Sequence, residues 1–153
     1  MPLLKFPEFL SQLPIKPLSN FDIIDICKSL KVNNFIGVFM RAEPTICNGN
    51  DESFILNMDD SDGQGTHRVS LYVKGNNCYY FDSFEFEPPI EVINYCAGKD
   101  GYFSTYKIQS REEVICGHYS IYVIYMLNRG ISFHDVLHEL TKLRSYEVFT
   151  SVN

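Results

Sequence analysis

The stretch Cys116–Asn128 constrains the fold more than any other part of the chain. It reads Cys-Gly-His-Tyr-Ser-Ile-Tyr-Val-Ile-Tyr-Met-Leu-Asn, with apolar side chains on nearly every side of a helical wheel. A helix of that kind has to be covered all round, in a protein core or in a membrane. Its longest apolar run, Tyr119 to Leu127, is far short of the ~18–20 residues that a membrane span needs. The sequence therefore predicts a central buried helix, ended by Gly130, with the rest of the chain wrapped around it.

The remaining segments read as covering layers. Ser19 stands three residues before Asp22, a capping-box spacing, and Phe21, Ile23, Ile24, Cys27 and Leu30 follow at helical period. They predict a helix over 20–30. Phe35–Met40 and Ser53–Met58 are short apolar runs that read as strands. In Arg68–Lys74, Val69, Leu71 and Val73 alternate with Arg68, Ser70 and Tyr72. Gly75-Asn-Asn then turns the chain into Cys78–Phe84, which makes a β-hairpin. Pro88 and Pro89 open a helix over 89–97, and Tyr102–Ile108 is a further strand. Ser132 with Asp135 opens a last helix that runs to Leu143. Four prolines make residues 1–18 an irregular lead-in, and Ala42–Asp51 and Asp59–Gly65 read as loops. Helices that flank a central group of strands give an α+β fold. With 153 residues, the expectation is a single domain over 1–153.

Charge and cysteine content narrow the function. The net charge of −6 argues against strong nucleic acid binding, which draws on Lys and Arg to neutralise phosphates. Met1-Pro-Leu-Leu-Lys-Phe-Pro does not read as a signal peptide, because prolines interrupt it and no small-residue cleavage site follows. The five cysteines, Cys27, Cys47, Cys78, Cys96 and Cys116, are odd in number and contain no C-x-x-C. A secreted disulfide framework shows an even count in a shorter chain. The expectation is an intracellular protein with free thiols in a reducing compartment, away from any membrane.

One of those thiols has the setting of a nucleophile. Cys116 opens the buried helix, where unpaired backbone N–H groups and the helix dipole favour thiolate. A cysteine nucleophile needs a base, a group that orients the base, and donors for the oxyanion. His67 stands at the mouth of a strand, after a glycine-bearing loop. Asp82 lies on the neighbouring strand of the hairpin, and Gln109 precedes Cys116 by seven residues. On spacing alone each of these is also a plausible packed or solvated side chain. His134 and His138 share a helix face at metal-ligand spacing, but no third ligand is evident and a surface helix is the plainer reading. No metal or other cofactor is expected. His118, two positions after Cys116, should face away from the thiol and serve packing. Asp59, Asp60 and Asp62 lack the acidic twelfth residue of a calcium loop.

At these residues the chain resembles a known family. Gly65-Thr-His67, Tyr80-Phe-Asp82-Ser-Phe, Gln109 and Cys116-Gly-His-Tyr occur in the order found in the adenovirus-type (adenain-like) cysteine endopeptidases. The closer likeness is to relatives encoded by large self-synthesising DNA transposons and related viruses. Phe35-x-Gly37-Val-Phe-Met-Arg41, Ile55-Leu-Asn-Met-Asp-Asp, Tyr125-Met-Leu-Asn-Arg-Gly and Phe133-His-Asp-Val-Leu add to it, so the resemblance covers residues 19–143.

The resemblance implies the fold shared with ubiquitin-like-protein proteases: a central mixed sheet flanked by helices, with the nucleophile at the start of the buried helix. It implies a thiol protease, a hydrolase, in which Cys116 is the nucleophile, His67 its base, Asp82 the orienting group and Gln109 the oxyanion donor. Arg68 and Gly65, which flank the histidine, fall on the substrate side. The implied substrates are proteins with glycine near the scissile bond, and the implied role is capsid maturation, in the host nucleus or the virion. Activating peptides occur in the family, but none can be read from one chain. Two departures stand out: Arg68 replaces the tryptophan that usually follows the histidine, and Glu85 replaces the glycine after Phe-Asp-Ser-Phe. The alternatives are a deconjugating protease for ubiquitin-like tails and an inactive binding protein on the same scaffold.

Overall fold

A six-stranded mixed sheet divides the hydrophobic core in two. The computed structural model describes residues 4–41, 43, 51–58, 67–84, 87–104, 115–141 and 146–150. Along the chain run α1 (Phe6–Leu10), α2 (Asn20–Ser29), β1 (Phe35–Met40), β2 (Asp51–Asn57), β3 (Arg68–Lys74) and β4 (Asn77–Phe81). They are followed by α3 (Ile90–Tyr95), β5 (Asp100–Ser104), α4 (Cys116–Asn128), α5 (Phe133–Thr141) and β6 (Tyr146–Thr150). Strand order in space follows the chain, β1-β2-β3-β4-β5-β6. The β1/β2 and β4/β5 pairs are parallel, and the other three pairs are antiparallel.

The helix predicted to be central is central. Every residue of α4 from Cys116 to Leu127 is buried. Its Ile121, Tyr122, Val123 and Ile124 meet Ile55, Tyr72 and Phe81 of the sheet, with Ile23 and Cys27 of α2 and Phe133, Val136 and Leu137 of α5 around them. The opposite face of the sheet carries Phe54, Leu56, Val69, Leu71 and Val73 against Val92 and Tyr95 of α3. Both faces of β3 are thus covered, which is why Arg68 to Val73 are all buried despite their alternating pattern. Burial of each aliphatic side chain of this kind contributes about 1.5–3 kcal/mol. At the end of α4, Gly130 takes a positive φ of 88°, and Ile131 N–H returns to Met126 C=O. That left-handed turn suits glycine and stops the helix.

The structure corrects the sequence reading in three places. The lead-in is not wholly irregular, since α1 forms with Pro7 in its first turn, where a missing N–H costs nothing. Its Phe6 stacks on Tyr119 at 4.4 Å and its Phe9 meets Tyr122. Farther along, Tyr122 Oη donates to Leu4 C=O at 2.9 Å. The N-terminal segment thereby supplies the outer cover of α4. Second, β4 stops at Phe81, short of the predicted Phe84. Third, β6 pairs with β5 as a strand the sequence did not announce. Among the described residues no helix is long and apolar enough to cross a membrane.

Candidate active site

Strand ends converge at one end of the sheet, and the start of α4 meets them there. The antiparallel register sets Asn57 of β2 opposite Arg68 of β3, and Ser70 of β3 opposite Phe81 of β4. Continued by one pair, that register brings Asp82 beside Val69, with His67 two residues beyond on the diagonal. Diagonal neighbours on paired strands are about 7–8 Å apart, within reach of long side chains. His67 C=O accepts from Met58 N–H at 2.7 Å, which ties the histidine to the end of β2. Ser120 Oγ of α4 donates to Arg68 C=O at 3.1 Å, so the first turns of α4 sit directly over the start of β3.

Within this frame, His67 Nε2 contacts Asp82 Oδ1 at 2.7 Å. The Asp82 side chain is only 2% exposed and that of His67 is 19% exposed. Asp82 Oδ1 also accepts from Phe84 N–H at 2.8 Å, and the Phe84 ring stacks on the imidazole with centroids 4.3 Å apart. Cys116, at the start of α4, is near enough to His67 for its charge to act on the ring. Burial alone would lower the His67 pKa. Hydrogen bonds to Asp82 and Cys116 and their negative charge outweigh it and push the value up to about 9. A protonated ring near neutral pH donates Nε2–H to Asp82.

The structure thus brings together three residues the sequence singled out: Cys116, His67 and Asp82. Gln109 and Gly65 lie outside the described residues, as do Glu85, Cys47 and the Asp59–Gly63 turn. Arg68 is turned inward and 4% exposed, and a Cβ added to Gly117 would meet its Cδ at 3.6 Å. Its aliphatic stem lies against the first turn of α4. His118 is fully buried with Nε2 bonded to Pro14 C=O at 2.7 Å, so it packs α4 to the N-terminal segment. Among the described residues no group of three or more His, Cys, Asp or Glu side chains could hold a metal. Cys27, Cys78 and Cys96 are buried and form no disulfide, and burial pushes Cys27 up to about 12. Sequence reasoning missed Ser104, which bonds the Asp82 backbone from β5, twenty-two residues away. No local pattern marks it.

No family model matches the sequence, and no curated protein matches it. Two crystal structures of the ASFV pS273R protease match the fold. The first has a TM-score of 0.62 and 18% identity over 86% of this chain. The chain shares the α+β fold of that protease. The second, of the selenomethionine protein, has a TM-score of 0.57 and 20% identity over 84%. In both, the match takes in 63% of the solved chain, so the present chain spans less than two thirds of that protease. At such identity the likeness fixes the α+β architecture, and the chemistry has to be argued from the residues.

Proposed function

We propose that the chain is a cysteine endopeptidase of the adenain-like kind. The observation that carries this reading is the 2.7 Å contact of buried Asp82 with His67, on a ring whose charged form Cys116 at the start of α4 also favours. These are the nucleophile, base and orienting group that thiol proteolysis needs.

The chemistry follows from those roles. The Cys116 thiolate adds to the scissile carbonyl carbon, and negative charge moves to the oxygen. The backbone N–H of Cys116 and the side-chain amide of Gln109 stabilise that oxygen. Collapse of the tetrahedral adduct breaks the C–N bond, and His67 delivers its proton to the departing amine. Water then attacks the thioester while neutral His67 takes its proton, and the carboxylic acid product leaves as the C–S bond breaks. Asp82 accepts from Nε2–H throughout and stabilises the charged ring. The substrates in this reading are proteins cleaved beside glycine, including capsid proteins.

One variant and one trapping experiment test the proposal. Peptides with glycine beside the scissile bond should be cleaved by the wild type and not by Cys116→Ala, with hydrolysis followed by mass spectrometry. Trapping a covalent adduct on Cys116 with a peptide aldehyde would identify the nucleophile. A Cys116→Ala variant that still cleaves would overturn the reading.

A further inference from the structure

We propose that Ser104 is a positioning residue of this site: its buried hydroxyl grips the Asp82 backbone and so aims the carboxylate at His67. The inference rests on the endopeptidase reading above. Parallel pairing of β4 with β5 is last seen at Tyr80 and Phe103. Asp82 therefore lies past the point where β5 supplies regular backbone partners. Both of its main-chain groups turn instead to one atom. Asp82 N–H donates to Ser104 Oγ at 3.2 Å, and the hydroxyl donates to Asp82 C=O at 3.2 Å.

Only a short hydroxyl can accept and donate from a single atom in this way; alanine does neither and a thiol does both weakly. Both residues are about fully buried, so no bulk water competes for these bonds. The chain leaves the strand at Asp82 with its backbone clamped from behind by Ser104. In front, Asp82 Oδ1 is held by Phe84 N–H at 2.8 Å, and His67 Nε2 completes the contact at 2.7 Å. Removal of the hydroxyl strands two buried backbone groups, each costly to leave unpaired. Asp82 then shifts to recover partners, and the carboxylate moves off the ring. A misplacement of about 1 Å at a catalytic group can cost on the order of 100-fold in rate.

The test uses the full chain as wild type, Ser104→Ala, Ser104→Cys and Ser104→Thr. His67 is titrated by NMR of its ring signals, and peptide cleavage is measured on the same samples. The expected result is a His67 midpoint that falls from about 9 toward 6.5 in Ser104→Ala. Cleavage falls with it by about 10- to 100-fold, Ser104→Cys lies between, and Ser104→Thr retains the wild-type midpoint. A folded Ser104→Ala with wild-type midpoint and rate overturns the inference. So does loss of fold in both the Ala and Cys variants, because the hydroxyl is then a folding requirement. A wild type that cleaves nothing, with a midpoint that still drops in Ser104→Ala, upholds the positioning role and sinks the endopeptidase reading instead.

Discussion

Replacement of Asp82 by asparagine should uncouple His67 from the site, and the structure sets the size of the effect. The His67 pKa rises from 6.5 to about 9 because the hydrogen bonds and charge of Asp82 and Cys116 exceed the opposing cost of burial. That rise is worth on the order of 3 kcal/mol, at about 1.36 kcal/mol per pH unit. Asp82 is the first of the groups that raise the value, so most of the effect should go with it. The folded state binds the His67 proton more tightly than the unfolded chain does. Its stabilisation is therefore complete below pH 6.5 and is lost as the pH rises through about 9. Urea unfolding of wild type and Asp82→Asn at pH 6 and pH 10 reads this directly. The gap between the two proteins should shrink by about 2–3 kcal/mol from pH 6 to pH 10. NMR titration should show the His67 midpoint falling toward 6.5 in the variant. Cleavage should fall by about 100-fold or more, since the imidazole loses both its orientation and its charge partner. A His67 that titrates alike in both proteins, with a stability gap independent of pH, would refute the electrostatic account.

Other expectations follow from the proposed reading and from the structure. In the endopeptidase reading proposed above, Gln109→Ala should slow acylation by a barrier of about 2.7–4 kcal/mol, as read by kcat. Phe6→Ala should destabilise the protein by about 3 kcal/mol or more in urea, because Phe6 stacks on Tyr119 of α4; an effect below about 1 kcal/mol would show that α1 does not brace the helix. Lys31 takes a positive φ of 57° after α2, so Lys31→Gly should raise stability by about 1 kcal/mol, and a loss would mean that its side chain contributes more than the strain costs.

Much of this architecture was legible in local sequence, and the exceptions have physical causes. α4 could be bounded at Cys116 and Asn128 because an apolar surface on every side leaves only one kind of environment. α2 was marked by the Ser19–Asp22 capping box, which the structure contains in both directions. The β3–β4 hairpin followed from strict alternation and a glycine turn, and it delivers His67 and Asp82 to the same strand ends. α1 escaped notice because prolines mask a helix when one of them merely sits in its first turn. β6 escaped because its five residues, strand formers though most of them are, do not name the distant strand they pair with. The site shows the same division. Cys116, His67 and Asp82 could be singled out by residue type, spacing and the family resemblance, though not by spacing alone. Ser104 acts through a hydrogen bond across strands, and only the folded register reveals it.

The central claim is that Cys116 is a nucleophile held by His67. Its most direct test is the rate of Cys116 alkylation by iodoacetamide at pH 7, followed by mass spectrometry in wild type and in His67→Ala. The account predicts that Cys116 is labelled well ahead of the buried Cys27, Cys78 and Cys96, and that loss of the imidazole slows its labelling by about tenfold or more. Equal rates in the two proteins would contradict it, because the thiol would then react without help from the ring beside it.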